Sequence, residues 1–101
     1  MPTIERIISM DKRYKSFTPI EQMQKRQQVL DTIAEHPEWE IYQVAKYLRT
    51  ELRLTLPEMS KITQISPQTL QKIEQPDSNP TLQSILKLLN AFGLDLMVKR
   101  S

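Results

Sequence analysis

Residues 54–82 read LTLPEMSKITQISPQTLQKIEQPDSNPTL, and this stretch decides the fold. Pro57 opens a short helix whose inward face is supplied by Met59 and Ile62. Ser66-Pro67 is an N-cap followed by proline at the first helical position, which opens a second short helix with Leu70 and Ile73 inward. Between them lies a tight turn. Gln75–Pro80 holds two prolines with Asp77, Ser78 and Asn79, so it cannot continue a helix and reads as a loop. The outer face of the second short helix carries Gln68, Thr69, Gln71 and Lys72. Such a face suits the major groove, where base edges are read by side chains that donate and accept in pairs, glutamine to adenine and lysine to guanine. The same residues also make an ordinary solvated helix face, and composition alone favours that plainer reading.

Working outward, Thr81 caps a helix with Leu82, Ile85, Leu86, Leu89 and Phe92 on one side, and Gly93 falls where a left-handed residue ends a helix. Leu94, Leu96 and Val98 then alternate as in a short strand, with no partner inside the chain. Upstream, Ile41, Val44, Ala45, Leu48 and Leu52 recur at helical spacing from about Pro37 to Arg53. Thr18-Pro19-Ile20-Glu21 is a capping box that starts a further helix, with Met23, Val29, Leu30 and Ile33 as its apolar set and an end by His36. Residues 1–17 read as a polar arm containing the charged run Asp11-Lys12-Arg13-Tyr14-Lys15. That run is expected to be solvated, or else to touch phosphates. His36 suits a helix end better than a metal ligand, and Trp39 and Tyr42 suit packing against the Thr18 helix.

Bulk properties exclude several classes. The chain has 101 residues, one glycine and no cysteine, so disulfides, thiolate metal sites and glycine-rich phosphate loops are out. No nucleophile–base pair or carboxylate constellation stands out, so neither an enzyme nor a cofactor or metal is expected. No apolar run approaches the roughly 20 residues of a membrane helix, and no signal peptide is visible, so a cytoplasmic protein with no membrane partner is expected. Residues 1–45 carry six Lys/Arg against seven Asp/Glu, and residues 46–101 carry eight against five. The second part is the better candidate for a polyanion partner.

The spaced run from Leu48-Arg49 through Leu54–Ser60, Ile65–Glu74 and Asn79–Leu82 to Leu89–Leu96 resembles the helix-turn-helix of the Cro and phage-repressor type. The resemblance covers residues 41–98. It implies an all-α fold: a five-helix, lambda-repressor-like domain with an N-terminal helical extension. Residues 1–36 would be the arm and extra helix, and residues 37–101 the DNA-binding and dimerisation domain. It also implies base reading by Gln68, Thr69, Gln71 and Lys72, and phosphate contacts from Arg53, Lys61, Ser66, Ser78 and Asn79. Arg49 and Glu74 occupy the positions of a structural ion pair. Two departures stand out: Ser60 replaces the usual alanine, and Gln64 the usual turn glycine. Leu56 and Pro67 replace a phosphate contact and a base reader.

Within that family the Glu74–Leu82 connection and the Leu94–Val98 tail are most similar to HipB-type antitoxins. That resemblance implies a short C-terminal β-strand (Leu94, Leu96, Met97 and Val98) pairing across a homodimer. It further implies a palindromic double-stranded operator, autoregulation and a HipA-like kinase toxin as partner. A regulator without a toxin, a HigA-type antitoxin and a protein-interaction module that reads no DNA are the alternatives.

Overall fold

The computed structural model describes residues 17–98. Among these residues five α-helices follow one another: α1 (Pro19–Ala34), α2 (Ile41–Glu51), α3 (Leu56–Thr63), α4 (Pro67–Ile73) and α5 (Leu82–Asn90). Residues 1–16, with the Asp11–Lys15 run, and Lys99 to Ser101 lie outside the described residues.

Caps set the helix starts. The Thr18 hydroxyl accepts the Glu21 amide at 3.2 Å, and the Glu21 carboxylate accepts the Thr18 amide at 2.9 Å. Thr55 and Glu58 repeat this reciprocal pair at α3, so α3 begins at Leu56, one residue before the proline that marks it in the sequence. Ser66 and Thr81 cap α4 and α5 through the amides of Thr69 and Ser84. Each box satisfies amides that the first helical turn leaves without partners. The second helix starts at Ile41 rather than near Pro37. Residues 36–40 instead form a turn closed by the Trp39 amide on the His36 carbonyl, with the two rings stacked 4.5 Å apart.

One core joins all five helices. Its centre is Leu48, Met59, Leu70, Ile73 and Leu88, with Val29 of α1 only 1% exposed among them. Tyr47 meets Trp39 edge-on at 5.0 Å, and both rings pack on the core margin. Polar ties hold α1 in place: Lys25 pairs with Glu51 at 3.0 Å, and the Arg26 guanidinium lies 5.3 Å from the Phe92 ring centre. Three residues expected inward are on the surface: Met23 (73% exposed), Ile62 (43%) and Leu82 (61%). On α5 the fully buried place is taken instead by Leu88. No helix among the described residues is long and apolar enough to cross a membrane.

The C-terminal strand is corrected. Among the described residues there is no β-strand. Gly93, at φ +76°, turns the chain out of α5, and Leu94 packs against the core. Beyond it Leu96, Met97 and Val98 are 49%, 84% and 99% exposed. Alternation specifies a strand only where one face is covered and the backbone has a ladder partner. Residues 95–98 have neither, so Leu94, Leu96, Met97 and Val98 do not form a strand that pairs across a homodimer.

Candidate nucleic-acid interface

The α3–α4 unit is built around a turn of three residues. Gln64 adopts the left-handed conformation, φ 64° and ψ 29°, and its side chain donates to the Lys61 carbonyl at 3.2 Å. Buried Thr63 donates its hydroxyl to the Met59 carbonyl at 2.8 Å and accepts the Ile65 amide at 3.3 Å. Ile65 is itself buried. The turn is thus fixed from inside, so a glutamine stands where glycine would be free of strain.

With Leu70 and Ile73 turned into the core, α4 presents Gln68, Gln71 and Lys72 to solvent. All three carry the donors that base edges and phosphates require. Thr69 and Ser66 are placed differently. The Ser66 hydroxyl accepts the Thr69 amide and donates to the Thr69 hydroxyl at 2.9 Å. Both residues therefore serve the cap, and Thr69 is half-buried.

The flanks hold the residues expected to contact phosphate. Lys61 is exposed on α3, and Asn79 is exposed in the α4–α5 loop. Ser78 holds that loop: its hydroxyl donates to the Ile73 carbonyl at 3.3 Å and its amide to the Gln75 carbonyl at 3.0 Å. A groove of about 540 Å³ separates α4 from the start of α5, with Lys72, Asn79, Thr81 and Ser84 on its walls. Arg53 sits in the α2–α3 turn with φ 55°, its guanidinium 4.3 Å above the centre of the Phe17 ring.

One ion pair fixes this face to the body. Arg49 Nε donates to Glu74 Oε2 at 2.6 Å and Nη2 to Oε1 at 2.9 Å, while Nη1 donates to the Leu54 carbonyl at 3.2 Å. The side chains are 23% and 10% exposed. The hydrogen bonds to Glu74 push the Arg49 pKa up against the opposing effect of burial, and the carboxylate's charge adds to the rise. The guanidinium thus stays charged throughout the accessible pH range. One side chain joins α2, the α2–α3 turn and the end of α4.

Sequence reasoning missed Phe17, Arg26 and buried Thr63, the last residue of α3, which braces the turn. Charge and ring in the first two pairs are far apart in sequence, and no periodicity links them. His36 Nδ1 lies 2.8 Å from a Glu38 carboxylate oxygen, and the described residues hold no cluster of three His, Cys, Asp or Glu that could take a metal ion.

The Helix-turn-helix family profile matches residues 46–98, just over half of the chain. No curated protein and no solved structure matches it. The match spans α3, the Gln64 turn, α4 with its polar outer face and the Arg49–Glu74 tie, and on that ground the chain belongs to the helix-turn-helix family of the Cro and phage-repressor type, whose members are non-catalytic, DNA-binding regulators of transcription.

Proposed function

We propose that the protein is a sequence-specific repressor that reads a palindromic operator with Gln68, Gln71 and Lys72 of α4, as a two-fold homodimer. The observation that carries this reading is the exposed donor set on α4, held outward by the Arg49–Glu74 fork. Lys61, Arg53 and Asn79 contact the flanking phosphates, and Ser66, Thr69 and Ser78 shape the elements that carry them. One α4 spans too few base pairs for useful specificity, so two copies bind half-sites about 34–36 Å apart. The test is selection of binding sites from random duplexes, followed by sedimentation of the complex. A two-fold symmetric site bound by two chains supports the reading, and absence of any enriched sequence refutes it.

The finer part of the proposal is that this repressor autoregulates an operon in which it is the antitoxin of a HipA-like kinase, and so works in the bacterial cytoplasm. With the terminal strand gone, that part rests on the resemblance of the Glu74–Leu82 connection. A kinase reading frame beside this one, whose product co-purifies with the protein, supports it. A regulator without a toxin is the reading that remains if neither is found.

A further inference from the structure

A groove of about 350 Å³ runs along α2, lined by Trp39, Tyr42, Gln43, Lys46, Tyr47 and Thr50. From Tyr42 on, these positions recur at helical spacing on the side of α2 opposite the buried Val44, Ala45 and Leu48. The single tryptophan and two of the three tyrosines of the chain line it. Those residue types are concentrated at the centres of protein interfaces, where they bring large apolar area. Lys46 is the one charged residue of the groove, and it forms no ion pair among the described residues.

Charge and symmetry name the occupant. A stripe on a helix face suits a second helix. Glu40, exposed at the cap of α2, stands six residues before Lys46. When two α2 helices pair antiparallel about Gln43, a two-fold axis sets Glu40 of each copy against Lys46 of the other, and Trp39 against Tyr47. Gln43 Oε1 accepts the Glu40 amide at 2.8 Å, which leaves its amino group to the second copy. The same axis runs perpendicular both to the two helices and to the line that joins them. Side chains about 90° round α2 from the groove therefore project to one side of the pair, and Arg49 is at that angle. Its fork to Glu74 sets the ends of both α4 helices on that side, as binding to one duplex demands.

We infer that a second copy of this chain occupies the groove, through a two-fold antiparallel pairing of α2 about Gln43. The inference rests on the homodimer proposed above and gives it its contact. A helix face about 17 Å long and 10 Å wide buries less than the roughly 1,200 Å² of a stable interface. The free chain therefore pairs weakly, and the duplex completes the dimer.

The test is sedimentation of the full chain over a concentration series, free and with the selected operator. Gln43→Glu keeps an oxygen for the Glu40 amide, so helical circular dichroism and melting should stay at wild type. It sets two carboxylates together on the two-fold axis, and the dissociation constant of the free dimer should rise roughly tenfold or more. Lys46→Glu and Glu40→Lys should each do the same, because their cross-copy pairs become pairs of like charge. Mixed in equal amounts, these two variants match opposite charges in the heterodimer and should regain wild-type association. Wild-type association in Gln43→Glu overturns the inference. So does a mixture of the two folded variants that is no more associated than its parts. In either case a wild-type chain that still binds a two-fold operator as two copies keeps the proposed function. A wild-type chain that is monomeric both free and on the duplex removes the inference and the homodimer together.

Discussion

Arg49 and Glu74, 25 residues apart, meet through two parallel N–H···O bonds of 2.6 and 2.9 Å. This geometry is specific to arginine, since a planar fork matches both carboxylate oxygens while an ammonium offers one point of charge. Glu74 is the residue that ends α4, so the bond fixes the tilt of the reading helix against α2. The third arm, from Nη1 to the Leu54 carbonyl, ties the entry to α3 to the same group.

Breaking this pair should cost stability and DNA affinity together. A fully buried pair that loses one partner costs roughly 3–5 kcal/mol. Arg49 keeps some solvent contact, so Glu74→Ala should cost about 2–4 kcal/mol, a fall in melting temperature of roughly 10–20 °C for a domain of this size. Arg49→Lys keeps the charge and loses the fork, and should lie between. Thermal unfolding followed by circular dichroism reads both. Wild-type stability in Glu74→Ala would show that the pair holds nothing together.

The residues of the α4 face separate reading from folding. Gln68→Ala and Lys72→Ala remove exposed side chains, so stability should stay within about 0.5 kcal/mol of wild type. Each should weaken binding to the selected operator by about 1–3 kcal/mol, while non-specific duplex binding changes far less. Equal losses on both duplexes for Gln68→Ala would mean that it contacts phosphate, not bases.

The turn carries strain that can be relieved. Gln64 has φ 64°, a conformation that costs a residue with a Cβ roughly 1–2 kcal/mol relative to glycine. Glycine lowers that cost and raises the entropy of the unfolded chain, so Gln64→Gly should stabilise the protein by about 0.5–1 kcal/mol net. Gln64→Val should destabilise it, because β-branched side chains suit positive φ worst. Gly93→Ala should also destabilise, although nothing lies within 4 Å of the added methyl, because the backbone angle itself is unfavourable. Denaturant midpoints of the three variants give the order.

How much of this was legible depends on how local the signal is. Thr18, Ser66 and Thr81 announce their helices because a cap acts within three residues, whereas the Thr55 cap of α3 was hidden behind the more obvious signal of Pro57. Met59, Leu70 and Ile73 show their burial through spacing. The position of Arg49 and Glu74 was readable from the resemblance, since their contact has no local signature. Contacts such as Arg53 on Phe17 and Arg26 on Phe92 join residues far apart in sequence, and only the packed helices bring them together. Leu94–Val98 misled for the opposite reason. The alternation was local and clear, but whether it forms a strand depends on a neighbour that the fold does not supply.

The helix α1 gives the last prediction, because it looks like an appendage in sequence and shares the core in the structure. Val29 is 1% exposed and packs with residues of the helix-turn-helix. Arg26 donates to the Ala91 carbonyl at 3.4 Å and covers the Phe92 ring, closing the end of α5. Val29→Ala removes two methyl groups from that core and should cost about 1.5–3 kcal/mol. Arg26→Ala should cost about 0.5–1.5 kcal/mol, since its contacts are near the surface. Deleting residues 1–36 removes both contacts and exposes apolar surface of α2 and α5. It should therefore lower the melting temperature more than Val29→Ala does, and weaken operator binding through loss of folded protein. Unfolding of the truncated chain at the wild-type temperature would show that α1 rests on the domain without supporting it.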